Sequence, residues 1–298
     1  MKDLVLDRPV TLVGVGCSHT QGSAFSKYVK DKNDNIKDIE WATEQLANKY
    51  KVPCTRSFVT NNLTWMAKLK DYIKIKKILN FGYGGLGTTS SITAVKNYIT
   101  KNISLENHLF IFQLQDTYRN EIYIKNKSDV YQPLTLGLLL GGEYIEKELN
   151  KKYFDKFVSE KIDTFFYLRE LFYLQNILEK LGAQVRIFGP PFYNIKPYSN
   201  LEIKDIENIL EYTERISYEK TLQNLKSIEE VFSSLNIINT HNMVDGLSRN
   251  KKRPTLENEN LVENDSHFSE TGNAIVAEYL FKNFNNKEDS NIFYEKTP

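Results

Sequence analysis

The amino-acid sequence predicts an α/β fold, a three-layer α/β/α sandwich around a central parallel sheet of about five strands. Three observations support this prediction. Short apolar runs rich in β-branched residues alternate along the chain with longer helical patterns. The first and third of these runs are mostly apolar, as strands are when helices cover both faces of a sheet. Glycine or a switch to polar residues follows each of the first three runs, and open α/β sheets carry their sites beyond such strand ends.

The predicted elements follow from apolar periodicity and from helix and strand boundaries. The predicted strands are 10–15, 77–81, 108–115, 184–189 and 237–240. The predicted helices are 61–73, which follows an asparagine cap, 92–100, 154–181, which a glycine closes, and 269–281.

We expect one domain over residues 1–286, followed by a polar tail over 287–298. Two stretches, near 23–60 and 116–155, are interpreted as insertions. The irregular pattern over 123–153 in the second is interpreted as lying near the site, because long irregular loops in compact domains are usually functional or disordered. The first opens with a lysine-rich segment that has helix-forming residues but weak periodicity, and 41–50 is more helical. The second is interpreted as a lid, with a packing insertion or a dimer contact as the alternative.

Composition excludes several classes of protein. A chain of 298 residues with 41% hydrophobic and 26% charged residues is an ordinary soluble composition. The net charge of +1 gives no indication of nucleic-acid or membrane binding. The N-terminal residues lack a signal-peptide core, so a cytoplasmic location is expected. The two cysteines, Cys17 and Cys54, form neither a disulfide framework nor a metal-ligand cluster, and we expect no metal and no cofactor.

The stretch 9–22, PVTLVGVGCSHTQG, holds the first candidate for chemistry. Its apolar half is the predicted first strand, and its second half changes to small and polar residues. Such residues just past a buried parallel strand occupy the place where open α/β sheets carry their sites. Ser18 is therefore the candidate nucleophile. A serine hydroxyl is inert at neutral pH until a base takes its proton, so the chain must also supply a base and oxyanion donors.

A candidate base stands before the last predicted helix. His267 follows Asp265 by two residues. A carboxylate close to a histidine on a loop fits a general base that an orienting group holds. The alternative is that His267 only caps or packs against the start of the helix.

A glycine cluster follows the second predicted strand. Glycine lets a backbone N–H approach a ligand closely, and such an N–H can stabilise the oxyanion of a tetrahedral intermediate. Gln115, at the end of the third strand, offers a side-chain amide for the same purpose. Gly82, Gly84 and Gly87 also match the dinucleotide-binding G-x-G-x-x-G pattern. Nucleotide binding ranks second, because the acidic residue that the fingerprint requires after the next strand comes late.

Four short blocks together resemble the SGNH, or GDSL-type, hydrolase family. The family's blocks are Gly-Asp-Ser-x-Thr-x-Gly, Asn-x-Gly-x-x-Gly, Gly-x-Asn-Asp and Asp-x-x-His. This sequence carries them as GCSHTQG (16–22), NFGYGG (80–85), QLQD (113–116) and NDSH (264–267). The blocks occur in the family's order, and the elements between them agree with the family's three-layer sandwich.

The resemblance implies a role for each block. Ser18 would attack an ester carbonyl, and His267 would take its proton. The oxyanion hole would consist of the backbone N–H groups of Ser18 and Gly85 with the side-chain amide of Gln115.

Three residues depart from the family pattern. Cys17 replaces the family's aspartate, Gln115 replaces its asparagine, and Asn264 stands where the aspartate before the histidine is expected. The longer glutamine moves its amide by roughly 1.5 Å, and a misplacement of about 1 Å can lower a rate about 10²-fold. Either Asp265 or the amide oxygen of Asn264 would orient His267, the latter as in Cys-His-Asn sites.

Three further side chains near these blocks need an interpretation. A thiol is a stronger nucleophile than a hydroxyl, but adjacent residues at a strand end point to opposite sides, so we expect Cys17 to be buried. His19 is a candidate substrate-binding residue, because it is too close to Ser18 in sequence to be the preferred base. Arg119 would bind an anionic substrate group or form a surface salt bridge.

The leading hypothesis is a serine esterase that hydrolyses O-acyl esters by a Ser–His mechanism, with O-acetyl groups on carbohydrate as the preferred substrate. The expected partner is a small-molecule or carbohydrate ester, with no nucleic acid and no membrane. Two alternatives use the same fold. One is a catalytically degenerate binding or scaffold protein, and the other is an acyltransferase that passes the acyl group to another alcohol through the same residues.

Overall fold

The computed structural model describes residues 4, 6–22, 25–30, 36–41, 51, 55–84, 87–114, 120–125, 131–136, 160–188, 235, 237–238 and 270–285. Within these ranges strands and helices alternate along much of the chain. In chain order the elements are β1 Val10–Gly16, α1 Ser18–Gln21, β2 Ser26–Lys30, β3 Ile36–Trp41, α2 Arg56–Asn62, α3 Trp65–Lys68, a 3₁₀ turn Leu69–Asp71, β4 Ile75–Gly82, α4 Thr88–Ile99, β5 His108–Gln113, β6 Asn120–Lys125, β7 Tyr131–Leu136, α5 Glu160–Lys180, β8 Gln184–Phe188, β9 Ile237–Ile238 and α6 Glu270–Asn283.

The central sheet has five parallel strands in the order β4-β1-β5-β8-β9. β1 lies between β4 and β5, and Val13 pairs with Leu79 on one side and with Phe110 on the other. Numbered along the chain, the order is 2-1-3-4-5, the doubly wound arrangement in which the strand order reverses beside the first strand. The predicted parallel sheet is therefore confirmed, with β9 as a strand of two residues.

Helices cover both faces of this sheet. Because side chains alternate across a strand, β1 contributes to both layers. Val13 and Val15 lie in a core with side chains from α4 and α5. Leu12 lies in a second core with side chains from α3 and α6, including Trp65. The three-layer sandwich is confirmed. Among the described residues, no helix combines the length and apolarity that crossing a membrane requires.

Both predicted insertions contain antiparallel hairpins. β2 pairs with β3 within the lysine-rich segment, whose composition is typical of a helix, and Trp41 ends β3 where a more helical stretch was predicted. β6 pairs with β7 in the second insertion. Each hairpin follows a strand of the central sheet at its carboxyl end, β2 after β1 and β6 after β5. The predicted helical pattern over 42–50 lies outside the described residues.

The helix predicted over 61–73 is interrupted. α2 ends at Asn62, and α3 begins at Trp65 after Thr64, whose backbone is extended (φ −73°, ψ 163°). The Thr64 hydroxyl accepts a hydrogen bond from the N–H of Ala67 (3.4 Å) and donates one to the carbonyl of Thr60 (2.9 Å). A threonine therefore caps the second helix in place of the predicted asparagine, and its local hydrogen bonds end the apolar periodicity early.

A buried hydrogen bond ties α6 to α3. Asn273 is fully buried, and its Oδ1 accepts from the N–H of Trp65 at 2.7 Å. Replacing Asn273 with Ala leaves that N–H buried without this acceptor, so we expect the free energy of unfolding to fall by about 2 kcal/mol. Chemical denaturation measures the change. Asn97→Ala, at an exposed position of α4, is the control and should change stability by less than about 0.5 kcal/mol; equal losses would contradict the expectation.

Candidate active site

The carboxyl ends of β1, β4 and β5 meet at one edge of the sheet. β1 ends at Gly16, β4 ends at Gly82, and β5 ends at Gln113. Gly16 and Gly82 are paired across the sheet, so the two strands end level with each other. β1 is also the strand beside which the strand order reverses, and open α/β sheets bind ligands in the crevice at such a point. The candidate site therefore consists of the segments that follow these three strands.

The first of these segments is α1, a single helical turn that begins with Ser18. The N–H of Gln21 donates to the carbonyl of Cys17 at 2.9 Å. Gly22 ends the turn at φ +85°, a conformation that glycine adopts without strain. The backbone of Ser18 thus lies directly beyond β1. The side chains of Ser18 and His19 lie outside the described part of the structure, so their roles remain predictions.

The second block packs directly against α1. The amide nitrogen of Asn80 donates to the carbonyl of Thr20 at 3.0 Å, and its Oδ1 accepts from the N–H of Gly82 at 2.9 Å. A Cβ on Gly82 would lie 2.5 Å from the backbone nitrogen of Gln21, so this position has no room for a side chain. The asparagine and the first glycine of the block therefore hold β4 and α1 in contact.

The turn after β4 already uses its backbone amides within the protein. The N–H of Tyr83 donates to the carbonyl of Gly16 at 3.1 Å, and the N–H of Gly84 donates to Gln21 Oε1 at 2.7 Å. A dinucleotide site needs such amides for the pyrophosphate. Their engagement argues against the G-x-G-x-x-G interpretation. Gly85, the predicted oxyanion donor, lies outside the described residues.

At the end of β5, the side chain of Gln113 reaches α1. Gln113 Oε1 accepts a hydrogen bond from the Thr20 hydroxyl at 2.5 Å, and Cys17 Sγ lies 3.9 Å from the same oxygen. Gln113 and Thr20 are fully buried or nearly so, and Cys17 is 7% exposed, which confirms the expectation that this thiol is buried. The amide nitrogen of Gln113 has no partner among the described residues.

The sequence interpretation missed Gln113 as a site residue. It assigned the third oxyanion donor to Gln115, which lies outside the described residues together with Asp116 and Arg119. The sequence did contain a signal for Gln113, because it is a polar residue at the end of an otherwise apolar strand. Such a residue is buried only when another polar group meets it.

The first turn of α6 is connected through α3 to the end of the first block. Besides the bond between Asn273 and Trp65, Lys68 Nζ forms an ion pair with Glu270 Oε1 at 2.9 Å. Thr64, which precedes Trp65, lies against Gly22, where a Cβ would meet Thr64 Cγ2 at 3.0 Å. A chain of contacts thus connects the end of the first block with the first turn of α6. Asn264, Asp265 and His267 lie outside the described residues.

An arginine that the sequence did not single out also contacts the segment that follows β4. Arg56, the first residue of α2, donates to the carbonyl of Gly82 at 3.2 Å. Its guanidinium lies 5.8 Å from the ring centroid of Tyr83, within the range of a cation–π contact. Nothing in the local sequence distinguishes Arg56 from other charged residues, because its contacts depend on the tertiary fold.

His108 is the one histidine whose side chain the described ranges include. It begins β5, at the edge of the sheet opposite to the candidate site. Burial raises the pKa of the Tyr98 hydroxyl, which is hydrogen-bonded to His108 Nε2 at 2.9 Å. These contacts make His108 a structural residue. Within the described ranges, no three His, Cys, Asp or Glu side chains cluster as a metal centre would require.

The strand order, with helices packed on both faces of the parallel sheet, defines a doubly wound α/β protein. No protein-family model matches the sequence, and no curated protein matches it. Among solved structures, the chain is similar to a member of the lipolytic protein G-D-S-L family from Veillonella parvula DSM 2008, with 11% identity over 93% of this chain and 99% of that chain and a TM-score of 0.40. It is also similar to a protein assigned to the G-D-S-L lipolytic family from Desulfitobacterium hafniense DCB-2, with 11% identity over 92% and 98% of the two chains and a TM-score of 0.38. At this level of similarity neither structure identifies a site residue in this chain.

Proposed function

We propose that the protein is a serine esterase of the SGNH type that hydrolyses O-acyl esters, with carbohydrate as the alcohol. The observation that carries the proposal is the meeting of three sequence-distant blocks at one edge of the sheet. The turn that begins with Ser18 accepts a hydrogen bond from Asn80 of β4 and donates one to Gln113 of β5. These contacts lie at the switch point of the sheet, where this class of fold carries its sites.

The position of α6 supports His267 as the general base. His267 precedes Glu270, the first residue of α6, by three residues, and three residues span at most about 11 Å. The first turn of α6 is hydrogen-bonded to α3 through Asn273 and Trp65, and α3 follows Thr64, which lies against Gly22. This series of contacts between α6 and the end of the turn supports the proposal that His267 approaches Ser18.

In the proposed mechanism, Ser18 Oγ attacks the ester carbonyl while His267 takes the hydroxyl proton. The carbonyl oxygen becomes an oxyanion, which the N–H groups of Ser18 and Gly85 and the amide of Gln115 stabilise. Collapse of the tetrahedral intermediate breaks the ester bond, and the leaving alcohol receives the proton from His267. Water, deprotonated by the same imidazole, then attacks the acyl-enzyme. The bond between the acyl carbon and Ser18 Oγ breaks, Ser18 regains its proton from His267, and the acid is released.

Orientation and substrate binding complete the proposed site. Asp265, or Asn264 through its amide oxygen, would fix the ring of His267 and its tautomer. His19, beside Ser18, would line the substrate pocket, and Arg119, which follows β5 in the sequence, would bind an anionic group of the substrate. No step requires a metal or a cofactor.

Labelling with a fluorophosphonate probe tests the proposal, because this probe reacts with an activated serine. We expect peptide mass spectrometry of the labelled full-length chain to find the probe on Ser18. His267→Gln should lower the labelling rate by about 10²-fold or more, because the base is lost. His108→Gln, which changes a histidine at the opposite edge of the sheet, is the matched control and should label at the wild-type rate.

Each other outcome has a defined meaning. Absence of labelling in the folded wild type would favour the degenerate binding protein. Labelling of Ser18 combined with turnover that requires an added alcohol would favour the acyltransferase. Wild-type labelling of His267→Gln would remove His267 from the mechanism.

A further inference from the structure

One buried side chain contacts both flanks of the turn that carries Ser18. Gln113 is 1% exposed, and its Oε1 accepts from the Thr20 hydroxyl at 2.5 Å and lies 3.9 Å from Cys17 Sγ. Cys17 precedes Ser18, and Thr20 follows it by two residues. A single amide oxygen at the end of β5 therefore restrains the turn on both sides.

The packing around this amide leaves little freedom. A Cβ on Gly16 would overlap Thr20 Oγ1 and would lie 2.9 Å from Gln113 Cβ. The end of β1, the Thr20 hydroxyl and the Gln113 stem are thus in direct contact. Asn80 holds the other side of the turn through the Thr20 carbonyl at 3.0 Å. Movement of the turn would break a buried hydrogen bond to β5 and a partly buried one to β4.

We propose that Gln113 is a positioning residue that acts through Thr20 to hold Ser18 for reaction. The proposal rests on the proposed function. The SGNH resemblance offers no such role, because the family pattern has glycine where this chain has Gln113. A misplacement of about 1 Å at a reacting group can lower a rate about 10²-fold, so the hydrogen bond between Gln113 and Thr20 controls the reactivity of Ser18 without touching the substrate.

The kinetics of fluorophosphonate labelling test this role. The labelling rate is measured on the full-length chain and divided by the concentration of folded protein. Gln113→Met keeps the length of the side chain and removes the acceptor, and Thr20→Val removes the donor. Each should lower the maximal labelling rate constant about 10-fold with little change in the probe concentration for half-saturation. The double variant should lose no more than either single variant, because both break one bond. Thr20→Ser, which keeps the hydroxyl, should restore labelling to within about 2-fold.

The control is Gln175→Met, at another buried glutamine, on α5. It should label at the wild-type rate. The proposal is overturned if Gln113→Met and Thr20→Val label as fast as this control, or if Thr20→Ser labels as slowly as Thr20→Val. Multiplicative losses in the double variant would also overturn it, because they would mean that the two side chains act independently.

Hydrogen exchange of the peptide that covers residues 14–22 separates failure of this proposal from failure of the proposed function. We expect the amides of α1 to exchange faster in Gln113→Met and Thr20→Val, and at the wild-type rate in Gln175→Met. If the wild type is not labelled at Ser18, the esterase proposal fails, and exchange alone decides whether Gln113 holds the turn. Unchanged exchange in both variants would refute the positioning role.

Discussion

Replacing Ser18 with Ala is expected to lower kcat/KM for a chromogenic acetyl ester by at least about 10³-fold. Ala removes the proposed attacking oxygen, and the remaining oxyanion donors can only assist slow attack by water. The loss should fall mainly on kcat, because the acyl-enzyme no longer forms. Initial-rate kinetics measure the change, and the burst of released alcohol before steady state should disappear in the same experiment.

Ser104→Ala is the matched control for this substitution. Ser104 is an exposed serine in the connection that leads to the start of β5, at the edge of the sheet away from the candidate site. It should keep the wild-type kcat/KM. Hydrolysis by Ser18→Ala at the wild-type rate would exclude Ser18 as the nucleophile. The assignment of the α/β fold does not depend on this result.

Replacing Gly82 with Ala is expected to lower the free energy of unfolding by about 3 kcal/mol. The new Cβ would lie 2.5 Å from the backbone nitrogen of Gln21 and 2.7 Å from the carbonyl carbon of Thr20. Backbone atoms of α1 cannot yield without moving the whole turn. Urea denaturation measures the loss of stability, and fluorophosphonate labelling of the folded fraction should be lost in parallel if Ser18 is the nucleophile.

Gly14→Ala is an informative comparison, because its Cβ would overlap Met66 Sδ. Met66 is buried, but a thioether at the end of a flexible side chain can shift. We expect a smaller loss of about 1 kcal/mol, with labelling retained. Equal losses in the two variants would contradict the expectation that a clash with the backbone of α1 costs more stability than a clash with a flexible side chain.

The central sheet could be predicted because its strands are buried on both faces. β1 and β5 are continuous apolar runs, and helices α5 and α6 have enough length for their periodicity to stand out. The hairpin β2–β3 was missed, because a lysine-rich strand is stabilised by pairing that no local pattern displays. The break between α2 and α3 was missed for a different reason. Thr64 lies inside a stretch whose apolar spacing predicts one continuous helix. Its role as the N-cap of α3 is visible only from its hydrogen bonds in the structure.

The site residues that could be predicted are those that local sequence patterns mark, and the residues that were missed depend on contacts between distant parts of the chain. The backbone position of Ser18 follows from the place where an apolar strand changes to small polar residues, which is local information. Gln113 and Arg56 could not be assigned in this way. Their contacts join residues 93 and 26 positions apart in the chain, so their importance exists only once β5 and α2 have packed beside α1 and β4.

The two hairpins differ from the central sheet in what their stability depends on. Both leave the central sheet at its carboxyl end. An isolated two-stranded hairpin is at best marginally stable in water, so each arm needs the rest of the protein in order to stay paired. The arms therefore cannot outlast the framework, and any condition that unfolds the parallel sheet should unfold them as well.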